Sequence, residues 1–120
     1  MKALIFFGHG ARDVRWREQF DRLVTLCRSQ HPDVLVEPYF LEMMAPSLED
    51  AIGSLVQSGV LQITVVPLFF GQGGHLRNDF PKLLQACQEK FPNVALSSTL
   101  AVGEDGAVLQ AIIDFGIRAI

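Results

Sequence analysis

The feature that most constrains this chain is an alternation of four short β-rich runs with four stretches of helical period. The runs cover residues 3–7, 34–40, 63–70 and 94–100. Such alternation is typical of βαβ units built around a parallel sheet. The first run is apolar at every position, as expected of a strand covered by helices on both faces. The sequence therefore predicts one α/β domain over residues 1–120.

Two runs indicate the order of the strands. Pro38 lies within the second run and cannot donate to a ladder, which favours an edge position. The third run is the most apolar and should be central. Right-handed crossovers then favour a flavodoxin-like, three-layer domain with a four-stranded parallel sheet in the order 2-1-3-4. Ligands of such sheets bind at the carboxyl ends of the strands where the order reverses, here between the first and third strands.

Helical spacing of apolar residues marks four helices between and after these strands. We expect Ser47 to cap the second helix, Gly59 to end it, and a closing helix over residues 108–117. Cys27 and Cys87 occupy apolar positions and are interpreted as core residues. The expected inward residues of the first and third helices are Trp16, Phe20, Leu23, Val24 and Cys27, and Phe80, Leu83, Leu84 and Cys87.

Charge and hydropathy exclude several classes of partner. The formal charge is -3 and the isoelectric point is near 5.5, which argues against nucleic-acid or anionic-membrane binding because those partners demand a broad basic surface. No segment approaches the ~20 apolar residues of a membrane span, and the first apolar run is too short for a signal peptide. We therefore expect a cytoplasmic protein. Separately, we expect a divalent metal as substrate and no organic cofactor.

Two glycine turns place histidines at the predicted switch point. His9 follows the first strand in Gly8-His9-Gly10, and His75 follows the third strand after Gly71-Gln72-Gly73-Gly74. Neutral imidazole binds first-row divalent metals, and two histidines suit an open, exchangeable site better than a closed structural one. Alternatively, each histidine fills a loop and bonds a carbonyl. The third histidine, His31, lies at a helix end, where a surface or capping role is expected.

Further side chains surround this predicted edge. Glu42 follows the second strand and is either a proton acceptor or a solvated loop residue. Arginines beside the two histidines would suit a ligand with several carboxylates, although exposed helix starts often carry arginine. Met43 and Met44 could form an apolar wall for a flat macrocycle with Phe40, Phe69 and Phe70, whose other use is core packing. The predicted substrate-binding set is Arg12, Arg15, Arg77, Met43, Met44, Gly73 and Gly74.

Three sequence blocks carry a family resemblance: FFGHGARD, YFLEMMAPSLEDAI and VVPLFFGQGGHLRNDFP. With them the chain resembles the short CbiX-type sirohydrochlorin chelatases, the one-lobe class of type II metal chelatases, over nearly its whole length. The resemblance implies insertion of cobalt, or of nickel or iron in relatives, into sirohydrochlorin for corrinoid or related biosynthesis. It also implies metal binding by His9 and His75 and an active site at a homodimer interface, since we expect no second lobe in the same chain.

One position departs from the family pattern, and one alternative function stays open. Ala11 stands where the family usually has serine, so a hydroxyl that could contact the substrate is absent. A histidine phosphatase is disfavoured because those enzymes need arginine directly before the histidine, where this chain has Gly8. A metal or tetrapyrrole carrier without turnover needs similar ligands to a chelatase, and the sequence does not separate the two.

Overall fold

The computed structural model describes residues 1–10, 13–41, 45–71 and 73–120, with only the backbone of residues 74–76. Within these ranges one parallel sheet contains four strands in the order β2-β1-β3-β4. This confirms the predicted fold class and strand order, and Pro38 lies in an edge strand opposite Phe6. The strands are β1 (Lys2–Gly8), β2 (Val34–Phe40), β3 (Gln62–Pro67) and β4 (Ala95–Ser98).

Helices follow each strand, as the alternation predicts. The first begins with a 3₁₀ helix at Val14–Arg17 and continues as α1 (Glu18–Gln30), which ends at an exposed His31. The Ser47 hydroxyl accepts a hydrogen bond of 3.2 Å from the Asp50 N–H and so caps α2 as predicted. The remaining bounds are α2 (Leu48–Gln57), α3 (Gly74–Lys90), a 3₁₀ helix (Val102–Glu104) and α4 (Gly106–Arg118).

Apolar side chains form one cluster on each face of the sheet. The larger cluster joins β1 and β3 to α2 and α3, and it includes Phe7, Tyr39 and Phe80. The smaller cluster lies under α1 and includes Phe6 and Phe20. Because consecutive strand residues point to opposite faces, β1, β2 and β3 each supply both clusters, whereas β4 supplies only Leu96, to the larger one. Helices therefore cover both faces of the β2–β1 half of the sheet.

Two predicted strands were too long. The third was expected to reach Phe70 but pairs only as far as Pro67, which lies opposite Phe7 at the end of β1. The fourth ends at Ser98 and not at Leu100. A strand extends only as far as its neighbour offers backbone groups, and β1 ends at Gly8. The apolar pattern continues past the end of β3 because Leu68 and Phe69 still pack against the core.

Two residues expected to face inward are largely exposed. Leu83 on α3 points away because Phe80, Leu84 and Cys87 occupy the i, i+4 and i+7 positions that face the sheet. Trp16 lies in the 3₁₀ helix and contacts Phe20 only at the rim of the smaller cluster. The spacing of apolar residues thus predicted the positions of both helices correctly, but the buried faces that it predicted are too wide. None of the described helices is long and apolar enough to cross a membrane.

Candidate functional site

The carboxyl ends of β1, β2 and β3 are joined by hydrogen bonds just beyond the sheet. The Leu41 N–H donates to the Gly8 carbonyl at 3.0 Å, which fixes the exit of β2 beside that of β1. The Leu68 N–H donates to the Phe7 carbonyl at 2.8 Å, which does the same for β3. The segments that follow all three strands therefore leave from one edge, as a switch point requires.

His9 occupies the junction between β1 and β3. It is the first residue after β1, and its side chain is exposed. The imidazole meets the ring of Phe69 edge-on, with centroids 5.1 Å apart and planes at 82°. Phe69 in turn contacts Phe7 edge-on at 4.9 Å. A core-anchored phenylalanine thus supports one side of the imidazole and leaves its other side open to a ligand.

Glycines on both sides of His9 determine how this turn is built. A Cβ on Gly8 would overlap the ring of Phe20, so α1 can approach the end of β1 only because position 8 lacks a side chain. Gly10 has a φ of 89°, a conformation that L side chains rarely adopt. The chain therefore turns at Gly10, and the His9 imidazole stays at the surface, outside the smaller cluster.

The second predicted metal ligand lies at the start of a helix. His75 is the second residue of α3, which begins at Gly74 after Gly73. The His75 side chain lies outside the described part of the structure, so its pairing with His9 stays a prediction. Within the described residues, no group of three or more His, Cys, Asp or Glu side chains could hold a metal ion. This agrees with an open site of few protein ligands but does not test it.

The loop after β2 carries three of the predicted site residues. Glu42, Met43 and Met44 lie outside the described residues, but both ends of their loop are described. The Phe40 N–H donates to the Pro46 carbonyl at 3.3 Å, and Arg17 Nη1 donates to the Ala45 carbonyl at 3.0 Å. These bonds hold Ala45 and Pro46, at the described end of this segment, near the carboxyl end of β2.

Arg17 is a residue that sequence reasoning missed. Its guanidinium lies 5.1 Å above the Phe40 ring, and its Nε contacts an Asp21 carboxylate oxygen at 3.3 Å. Together with the bond to Ala45, these contacts tie the start of the first helix to the loop after β2. Arg17 and Ala45 are 28 positions apart in the sequence, and no local sequence pattern predicts a contact over that separation.

The predicted basic collar is only partly described. Arg12 lies outside the described residues. Arg15 forms a salt bridge with Asp13 at 2.8 Å, and their hydrogen bonds lower the pKa of the Asp13 carboxyl and raise the pKa of the Arg15 guanidinium. That pairing counts against Arg15 as a free receptor for a ligand carboxylate. Arg77 is exposed on the first turn of α3.

Arg77 lines a cleft of about 430 Å³ between α3 and the end of β4. The described lining also includes Phe80 and Pro81 from α3 and Glu104 from the 3₁₀ helix, but not His9. The cleft therefore lies at the carboxyl end of β4, on the same edge of the sheet as the switch point, but its described lining includes no residue of β1 or β3.

The three phenylalanines proposed for an apolar wall have different environments. Phe40 is buried in the smaller cluster and packs on Phe20, so it belongs to the core and not to a ligand wall. Phe69 is half-buried against His9, and Phe70 is exposed. Phe69 and Phe70 alone among the three can face a ligand at this edge.

These observations define a class of protein: an α/β domain with a parallel sheet whose strand order reverses between β1 and β3, the place where such domains bind ligands. Comparison with known families then narrows the class. The CbiX family model matches residues 3–115, and the chain belongs to that family.

The chain is similar to named proteins both in sequence and in structure. The chain is 26% identical over 111 residues to a sirohydrochlorin ferrochelatase of Bacillus subtilis, covering 92% of this chain and 42% of the relative. It is 32% identical over 84 residues to a sirohydrochlorin cobaltochelatase of Methanopyrus kandleri, covering 70% and 59%. It superposes on a CbiX protein of Marinobacter aquaeolei VT8 with a TM-score of 0.83 at 28% identity, covering 99% and 97%. The chain thus spans about half the length of the two named chelatases and nearly the whole length of the CbiX protein.

Proposed function

We propose that this protein is a sirohydrochlorin chelatase that inserts a divalent metal into the tetrapyrrole. The observation that carries the proposal is His9, an exposed imidazole at the switch point of a CbiX-family domain. Curated relatives of this chain are sirohydrochlorin ferrochelatases and cobaltochelatases. In our proposal the metal is a substrate, with cobalt preferred and nickel or iron as alternatives.

In the proposed reaction, His9 and His75 hold the incoming metal through neutral ring nitrogens. Two protein ligands leave most of the coordination sphere free, so the ion can pass to the pyrrole nitrogens without the site being dismantled. Those nitrogens lose two protons as the metal enters. We assign Glu42 as an acceptor for them, because it follows β2, whose carboxyl end lies beside that of β1.

The substrate's carboxylates need cationic partners, which we assign to Arg12 and Arg77. Arg77 supports this role because it is exposed beside a cleft on the same edge of the sheet as the switch point. A guanidinium binds a carboxylate through two parallel hydrogen bonds, which orients the macrocycle as well as attracting it. Met43, Met44 and the backbone at Gly73 and Gly74 complete the proposed surface for the ring. We further propose that two copies pair, so that a second chain encloses the macrocycle from the opposite side.

The direct test is a metallation assay with the purified 120-residue chain. Sirohydrochlorin is mixed with Co²⁺, Ni²⁺ or Fe²⁺ under anaerobic conditions, and the absorption spectrum is followed with and without protein. We expect protein to accelerate metallation and to turn over many equivalents. A carrier would instead stop after one equivalent per site, and a rate equal to the protein-free control for all three metals would overturn the proposal.

A further inference from the structure

The helix α4 presents an apolar surface to water. All 13 of its residues are described, and none is buried. Ile112, Ile113, Phe115 and Ile117 are 45%, 55%, 69% and 61% exposed. A helix that is apolar over most of its circumference is normally buried, and an isolated helix of this length is marginal in water. The position of α4 therefore indicates that another surface covers it.

One narrow stripe of α4 is suited to solvent. Gln110 and Asp114 lie one turn apart and are joined by a hydrogen bond of 3.0 Å. Ala107, Ala111 and Arg118 share that side at spacings of three and four residues. The isoleucines and Phe115 occupy the remaining circumference. The helix can thus turn its polar stripe outward while it buries the other sides.

The same chain has a sheet surface without a helix over it. On the side where α1 covers β1 and β2, Thr64 and Val66 of β3 are only half-buried, and Ala95 and Ser97 of β4 are exposed. On the opposite side, Ile63 and Val65 of β3 are fully buried. We call the surface formed by Thr64, Val66, Ala95 and Ser97 the β3–β4 face. No described helix covers it.

Two cavities mark the ends of the β3–β4 face. One of about 290 Å³ is lined by Leu4, Cys27 and Thr64, near the amino ends of the strands. The other, of about 260 Å³, is lined by Val66, Leu100 and Val108, near their carboxyl ends. This face therefore has open space beside Thr64 and beside Val66 of β3. Six strand residues span ~20 Å, and the 13 residues of α4 also span ~20 Å.

The connection before α4 is anchored so that Val108 on the first turn lies at one end of the β3–β4 face, while residues 110–118 are all exposed. Ala101 is buried, and the Gly103 N–H donates to the Phe69 carbonyl at 3.0 Å, which anchors the 3₁₀ helix to the loop after β3. The Asp105 carboxylate then accepts a hydrogen bond of 3.1 Å from the Val108 N–H and caps α4. Folding α4 back onto its own sheet would require this anchored connection to rearrange.

We propose that two copies of this chain exchange α4, so that each helix packs on the β3–β4 face of the other copy. The uncovered helix and the uncovered face belong to one sequence, so a two-fold pairing buries both surfaces in both copies at once. This inference rests on the pairing proposed above and names the surface that forms it. It requires neither metal nor tetrapyrrole.

The first test compares two lysine substitutions on α4 by analytical ultracentrifugation at micromolar concentration. Ile113→Lys places a charge on the apolar side, and Ala111→Lys places the same charge on the polar stripe. We expect a dimer for the wild type and for Ala111→Lys. For Ile113→Lys we expect a dimer dissociation constant at least about tenfold higher. A monomeric wild type, or an Ile113→Lys variant that dimerises as tightly as the wild type, would overturn the proposal.

The second test asks which surface α4 covers, by measuring the rate of thiol labelling with a maleimide. In a Cys27→Ala background, Ser97→Cys puts a thiol on the β3–β4 face, and Ser98→Cys puts one on the other side of the same strand. Cys87 is buried and should stay unreactive. We expect the Ser97→Cys thiol to react about tenfold more slowly in the dimer than after dilution to monomer, and the Ser98→Cys thiol to react equally in both.

Each contrary outcome of the labelling test has a distinct meaning. Protection of the Ser97→Cys thiol in the monomer would show that α4 folds onto its own sheet. Full reactivity in the dimer would show that the copies pair through another surface. Both results contradict exchange. A dimer with a protected thiol that fails to metallate sirohydrochlorin would instead contradict the proposed function and leave the exchange intact.

Discussion

At the scale of single residues, Tyr39 shows how burial sets a titration. It is 3% exposed and stacks on Phe7 with ring centroids 4.5 Å apart. Burial, and to a lesser degree the nearby Cys87, raises the pKa of Tyr39 to about 12. The folded state therefore holds the phenolic proton more tightly than the unfolded state, whose pKa is near ~10. The stability that this difference provides is complete below pH ~10 and is lost as pH rises through about 12.

We predict that the wild type loses roughly 3 kcal/mol of unfolding free energy across this alkaline range beyond what Tyr39→Phe loses. Urea unfolding at several alkaline pH values measures the difference. Tyr39 is the chain's one tyrosine, so ultraviolet absorbance of tyrosinate reports its ionisation directly. Equal pH dependence of the two proteins would show that burial of the phenol does not control its titration.

Arg77 gives a prediction about substrate capture. Arg77→Ala should raise the apparent KM for sirohydrochlorin about two- to fivefold with little change in kcat, because an exposed guanidinium contributes mainly attraction and orientation. Lys82→Ala removes the same charge from an exposed position further along α3 and should leave KM unchanged. The difference should shrink with added salt, which screens exposed charges. Equal KM values for both variants would remove Arg77 from the substrate site.

The sequence predicted where His9 would lie, because strand order alone brings the residue after β1 to the switch point. It did not reveal the side-chain partners at that edge. Arg15 was expected to bind substrate, but it pairs with Asp13, and the long-range bond from Arg17 to Ala45 was not predicted. Such pairings depend on rotamers and long-range approach, which spacing along the chain does not encode.

At the scale of elements, the contact between β1 and α1 depends on a missing side chain. Phe20 lies between Trp16 and Phe40, with ring centroids 5.0 and 5.1 Å away, so its ring cannot move freely to admit a methyl group at position 8. We predict that Gly8→Ala destabilises the domain by about 1–3 kcal/mol through overpacking.

Gly53→Ala is the matched control for this prediction. Gly53 lies within α2, and an added Cβ would meet only the Phe91 ring at an ordinary distance of 3.9 Å. Gly53→Ala should stabilise the domain by up to about 1 kcal/mol, because alanine has a higher helix propensity than glycine. Urea denaturation measures both variants. A Gly8→Ala protein as stable as the wild type would show that α1 can shift away from β1 without cost.

The existence of each element was predictable, but several ends were not. Apolar runs continue through Phe69 and Phe70 because both side chains lie near the edge, although β3 has stopped pairing at Pro67. Periodicity records burial and not hydrogen bonding, so it overextends a strand into an apolar loop. A capping hydroxyl is more local evidence, and Ser47 located the start of α2 correctly.

At the scale of the whole molecule, the sheet order followed from Pro38 and the apolar third run, while the place of α4 did not. The pattern of α4 states that most of its sides are apolar, but it does not state what they contact. That information lies in the uncovered β3–β4 face and in the anchored turn before the helix. It became visible only once both surfaces were placed in one structure.

The central claim is that His9 and His75 handle the metal, and metallation of sirohydrochlorin by histidine variants tests it most directly. His31 is the matched control, since it is exposed at the other end of α1 among the amino ends of the strands. Circular dichroism confirms folding, and cobalt binding is measured in parallel. The account predicts that His9→Ala and His75→Ala each fold, lose most cobalt binding and slow metallation about a hundredfold, while His31→Ala matches the wild type. Folded His9→Ala and His75→Ala proteins that metallate at the wild-type rate would contradict it.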